Sequence, residues 1–89
     1  MNNNPNSQET KKNYLSKIKR FYLQRNEDES GVSGTGIVVT GVEFPSGQVV
    51  IEWTASPVKS ITFYPNIEAM ISVHSHGGKT VLKWIDQEY

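Results

Sequence analysis

A chain of 89 residues with nine basic and nine acidic side chains has the size of a single domain and no net charge. The absence of cysteine excludes disulfides, a thiol nucleophile and cysteine-ligated metal or iron–sulfur centres. No signal-peptide core follows the first residues and no apolar run is long enough to span a bilayer as a helix, so a soluble, cytoplasmic protein is expected, with no membrane partner.

The neutral total conceals an asymmetry. Six of the nine basic residues (Lys11, Lys12, Lys17, Lys19, Arg20, Arg25) precede residue 26, and the remainder of the chain carries a balance of −5. Residues 1–13 are polar throughout apart from Met1 and Pro5, a composition that cannot offset the entropy of ordering. They are expected to form a disordered tail, leaving residues 14–89 as one small domain near the lower size for a self-supporting core.

Alternation with a period of two dominates the chain from residue 17 onward. Residues 17–25 place Phe21 and Leu23 on one side of a first strand, with Ile18, Arg20 and Tyr22 on the other. Next comes the acidic triplet Glu27-Asp28-Glu29 and the segment Ser30-Gly-Val-Ser-Gly-Thr-Gly36, in which three glycines fall within six positions. Residues 36–44 predict a second strand, with Val38, Thr40, Val42 and Phe44 on one face and Ile37 and Val39 on the other. Pro45-Ser46-Gly47 is turn chemistry, and residues 48–54 alternate Val49, Ile51 and Trp53 against Val50, Glu52 and Thr54. Two strands joined by this short glycine-bearing loop predict a hairpin.

Ala55-Ser56-Pro57 breaks the third strand, and residues 60–64 form a short fourth one. After Pro65, Asn66 is a good helix N-cap and Glu68 complements the dipole in the first turn. Ile67, Met70, Ile71 and His74 at helical spacing predict a two-turn helix over 67–74 with one face on the sheet. Gly77-Gly78 ends it, and residues 79–86 form a last strand with Thr80, Leu82 and Trp84 on one side. The order β-β-β-β-α-β implies a small α+β domain, a mostly antiparallel sheet or partly open barrel with one short helix. Both tryptophans share faces with core-type residues and are expected in the core.

Candidate chemistry is sparse. The glycine segment superficially resembles a phosphate cradle, but a Walker loop needs a Lys-Ser/Thr pair where Ile37-Val38 stands, and a dinucleotide loop needs a following helix where a strand is predicted. A tight glycine-requiring turn or bulge leading into the second strand fits better. His74 and His76 at i and i+2 could ligate zinc or copper only with carboxylates such as Asp28 or Glu29 brought to them, so no metal or other cofactor is expected. Ser33 sits in a broken G-x-S-x-G pattern without the strand-before, helix-after context of a nucleophile elbow, and no catalytic residue is assigned.

In combination, the runs Asp28-Glu-Ser-Gly-Val-Ser-Gly-Thr-Gly-Ile-Val38, Gly41-Val-Glu-Phe-Pro-Ser-Gly-Gln-Val-Val-Ile-Glu-Trp53, Val73-His-Ser-His-Gly-Gly-Lys-Thr80 and Trp84 resemble a family of small proteins from phage, prophage, bacterial and archaeal genomes. The likeness covers about residues 19–86. Ser75 departs from it, since similar proteins carry glycine there. The resemblance implies that the glycine segment and the histidine turn belong to one module, and it implies no activity, cofactor or binding residue.

The residues support two functional expectations. The first is a non-enzymatic, phage-derived binding or accessory protein that contacts a protein partner, with Ser33, Thr35, His74 and His76 forming a polar rim at one end of the sheet. The alternative is a nucleic-acid-binding module whose arm uses Lys17, Lys19, Arg20 and Arg25. Oligomeric state is left open, because small sheets often pair through exposed edges.

Overall fold

A computed structural model describes residues 13–26, 35–75 and 77–86. Five strands, β1 (Lys19–Arg25), β2 (Gly36–Glu43), β3 (Val49–Trp53), β4 (Ile61–Tyr64) and β5 (Thr80–Trp84), form one open sheet, and helix α1 (Ile67–His74) lies between β4 and β5 in the chain. The spatial order is β4-β3-β2-β1-β5, with every neighbouring pair antiparallel. The α+β class and the element order expected from the sequence are those found, and the sheet is open rather than closed into a barrel. The expected tail, apart from Asn13, and most of the glycine segment lie outside the described residues. Residues 13–15 make a helical turn that alternation did not indicate.

Register explains which side chains are buried. Across the sheet, Phe21 stands opposite Gly41 and Trp84, and Leu23 opposite Val39 and Leu82, while Ile51 faces Gly41 and Thr62. These residues share one side, and α1 covers part of it with Met70. The core consists of Phe21, Leu23, Val38, Val39, Val49, Ile51 and Met70, with Trp53, Tyr64, Ile67 and Leu82 packed around it. Phe21 lies flat over Gly41, where even a methyl group would sit 2.4 Å from the ring.

Strand β2 departs from the expected alternation. Val38 and Val39 are adjacent and both fully buried, which a regular strand forbids. Between Leu23 and Gln24 the β1–β2 register shifts, so that Leu23 pairs with Val39 but Gln24 with Ile37. Val38 is the extra residue of a β-bulge, and the bulge turns both valines toward the core. Thr40 and Val42, past the bulge, therefore point to the opposite side from Val38.

The hairpin and the helix are closed by local chemistry. In the β2–β3 turn the Gly47 N–H donates to the Phe44 carbonyl at 2.8 Å, and the Phe44 N–H to the Gln48 carbonyl at 2.9 Å. Asn66, in extended backbone, accepts from the Ala69 N–H at 2.8 Å as the N-cap of α1. Ser75 ends the helix at φ −71°, a conformation any residue adopts, so glycine is not required there. Beyond it the Thr80 N–H donates to the Ser75 carbonyl at 3.0 Å and seats the start of β5 beside the helix end.

Candidate interaction surface

The two sides of the sheet differ in how they are finished. On the helix side His74 is buried, 9% exposed, with its ring edge-on to Trp53 and Tyr64 at centroid separations of 5.0 and 5.6 Å. Its Nε2 lies 2.6 Å from the Tyr64 hydroxyl. His74 comes from the last turn of α1 and Tyr64 from the end of β4, so the contact ties the helix back onto the edge strand that precedes it. Beside it a cavity of about 210 Å³ is lined by Leu23, Met70, His74, Thr80 and Leu82. His74 thus belongs to the packing under the helix and is not part of an exposed rim, a correction to the expectation from its neighbourhood of glycines and polar residues. Thr35 is exposed, whereas Ser33 and His76 lie outside the described residues.

The four basic candidates do not form a patch. Lys17 is exposed before β1. Lys19 pairs with Glu43 across the β1–β2 ladder at 3.6 Å and lies 4.8 Å over the Trp84 ring. Arg20 points to the other side, where Nε and Nη2 donate to Asp86 at 2.7–3.3 Å and its backbone N–H donates to the same carboxylate at 2.7 Å. These hydrogen bonds hold the Asp86 carboxyl well below its ordinary value, at about 2, and raise the Arg20 guanidinium. Arg25 is buried, 7% exposed, and its Nε donates to Thr80 Oγ1 at 3.3 Å. Strand alternation sends Lys19 and Arg25 to the helix side and Arg20 to the opposite one. Consecutive basic positions in a strand are divided between its faces.

The side away from α1 is uncovered by any described residue, and it mixes apolar with charged and polar side chains. Register sets out two transverse rows. One runs Lys83, Tyr22, Thr40, Glu52, Ile61; the next runs Arg20, Val42, Val50, Phe63, with Ile85 at its β5 end through the Ile85 N–H bond to the Arg20 carbonyl at 2.9 Å. Phe63 is 78% exposed, Ile61 53% and Ile85 47%. A shallow groove of about 330 Å³ follows this face, lined by Arg20, Thr40, Val42, Glu52, Ile61 and Ile85. The Glu52 carboxylate lies within it, half-buried, with no hydrogen bond or ion pair among the described residues. Phe63, Ile61, Ile85, Val42, Val50 and Tyr22 give this face its apolar part, interspersed with Arg20, Lys83, Glu52 and Thr40, and grouped exposed apolar residues of this kind mark interaction surfaces more often than single scattered ones do.

Strand periodicity alone does not single out this face, for a definite reason. Strand alternation marks two faces but does not say which one the helix takes. The signal that was available lay in Ile61 and Phe63, placed two apart in a strand of four residues whose other face carries Thr62 and Tyr64.

An open antiparallel sheet with one face covered by a helix is the frame of a small α+β protein, and among the described residues no three His, Cys, Asp or Glu side chains come together as a metal site would require. The sequence model of a family described as Acb5 phage protein matches residues 18–86, and the chain belongs to that family. No curated protein and no solved structure matches it. Among the described residues, no helix is long and apolar enough to cross a membrane.

Proposed function

We propose that this phage protein acts by binding rather than by catalysis, and that its working surface is the uncovered sheet face, which engages protein. The observation that carries the proposal is the exposure of Phe63 and Ile61 at one edge of a face that also carries Val42, Val50, Tyr22 and Ile85. Apolar area of this kind favours a partner that is itself apolar and shape-complementary, which describes a folded protein better than a phosphate backbone. The nucleic-acid alternative has weaker support. Of its four cations, Lys19 and Arg20 are engaged with carboxylates and Arg25 is buried against Thr80.

Recovery of the tagged chain from infected cells, with identification of the proteins bound to it, tests the proposal. A partner held by the wild type, another copy of the chain included, is expected to be lost from Phe63→Asp and retained by Lys17→Ala. Retention of the same partner by Phe63→Asp would contradict the assignment of the surface. Nucleic acid bound in a salt-dependent manner and lost with Lys17→Ala would favour the alternative.

A further inference from the structure

We infer that the occupant of the uncovered face is a second copy of this chain, packed sheet against sheet about a two-fold axis parallel to β2. The inference rests on the proposal that this face is a protein-contact surface and names the partner.

Three observations carry it. The first is that no described residue covers the face. Residues 1–12 hold no apolar side chain besides Met1 and Pro5, residues 27–34 contribute only Val32 and residues 87–89 only Tyr89, so none has the aliphatic content to cover a five-stranded face. The second is area. Five strands at about 4.8 Å spacing and five to seven residues at about 3.3 Å give a footprint of roughly 400–550 Å² per copy, before side-chain relief is added. Two such faces bury on the order of 1,000 Å² together before side-chain relief is counted, the lower bound for a specific interface and the range of a weak, concentration-dependent dimer.

The third observation is self-complementarity. β2 is the middle strand of the sheet, so a two-fold axis along it brings β1 and β5 of one copy over β3 and β4 of the other. In the row through Val42, Ile85 then faces the second copy's Phe63, Val42 faces its own equivalent, and the aliphatic stem of Arg20 lies over the second copy's Val50 with its guanidinium held aside by Asp86. In the adjacent row, the Tyr22 hydroxyl faces the second copy's Glu52, and the Lys83 ammonium lies one strand further out, within reach of that carboxylate. The Glu52 carboxylate, without a partner among the described residues of one chain, acquires a donor and a cation from the other. Within one chain Lys83 and Glu52 sit three strands apart, about 14 Å, and do not meet. The rotation of about 30° between stacked twisted sheets displaces the outer strands by a few ångströms and keeps these pairings in reach of long side chains.

Sedimentation equilibrium of the full chain from low to several hundred micromolar tests the inference. The expected mass at the upper end is twice the 10.0 kDa of the chain. Phe63→Asp is expected to weaken association on the order of a hundredfold while leaving the circular dichroism spectrum unchanged. Where Phe63→Asp fails to fold, the charge pair decides: Glu52→Lys weakens association and the double variant Glu52→Lys/Lys83→Glu recovers it. A monomer at every concentration overturns the inference; if Phe63→Asp still abolishes binding of a different protein, the contact-surface proposal stands with another occupant. A dimer untouched by Phe63→Asp and by the charge exchange overturns the inference, because the copies then meet elsewhere. If Phe63→Asp also leaves every bound partner in place, the contact-surface proposal falls with it.

Discussion

Phe21 packs against the backbone of Gly41, and the absence of a side chain at 41 is what permits it. The Phe21 ring is fully buried, over Gly41 of β2 and edge-on to Trp84 of β5, and a Cβ at position 41 would meet three of its carbons within 3 Å. Gly41→Ala is expected to cost about 1–3 kcal/mol, because a ring enclosed on every side cannot move aside without displacing its neighbours. Urea denaturation measures it. A neutral result would mean that the ring is not held where the structure places it.

A second residue-scale prediction concerns acid. Asp86 closes the β1–β5 edge by accepting from both the backbone and the guanidinium of Arg20. Its folded-state pKa, about 2, lies below the ordinary 3.8, so the stabilisation from the pair is complete above the ordinary value and is lost as pH falls through about 2. Because both groups are solvent-exposed, the effect is small. The melting temperature of the wild type should exceed that of Asp86→Asn near pH 6, and the gap should close as the pH approaches 2. A gap that persists unchanged in acid would remove the ion pair as its cause. At this scale the sequence was only partly legible. It showed a basic strand, yet whether a given cation is free, paired or buried depends on partners 55 to 66 residues away, Thr80 for Arg25 and Asp86 for Arg20.

Elements were legible where their determinants are local. The helix over 67–74 was set out by Asn66, Glu68 and the spacing of Ile67, Met70 and His74, and the structure places it there. Asn66→Ala removes the acceptor for the Ala69 N–H and is expected to cost about 1 kcal/mol. Amide exchange at Ala69 should quicken more than exchange in β1; equal changes in both would mean that the cap has no local effect. The bulge in β2 was not legible, because an apolar run such as Ile37-Val38-Val39 is compatible with either phase of alternation. Only the pairing with Leu23 and Gln24 fixes where the phase slips. Trp84 illustrates the same limit. It shares the core side with Leu82, but β5 is an edge strand and Trp84 lies at its far end from the helix, which meets the strand near Thr80 and Leu82. The indole is therefore 41% exposed, edge-on to Phe21 and under Lys19, rather than in the core as expected.

For the molecule as a whole, the decisive property is a sheet with more apolar surface than its single helix can cover. Eight helical residues shield the half of the sheet around Val49, Ile51 and Leu23, and nothing described shields the other side. Small domains are marginal because so little of their chain is interior, and stacking two such sheets would convert a solvent-facing layer into a second core. The candidate histidine rim and basic arm were inferred from residue types that usually signal function, whereas the surface that stands out is made of valine, isoleucine and phenylalanine. Those residues signal function only by where they are left exposed, which a one-dimensional pattern cannot display.

The uncovered face as the contact surface is the central claim, and methyl NMR of the full-length chain across a dilution series tests it most directly. Concentration-dependent shifts are expected at the methyl groups of Val42, Val50, Ile61 and Ile85, with those of Val38 and Met70 under the helix unmoved. Shifts confined to the helix side, or methyl signals on the uncovered face that do not change with concentration or with an added partner, would contradict it.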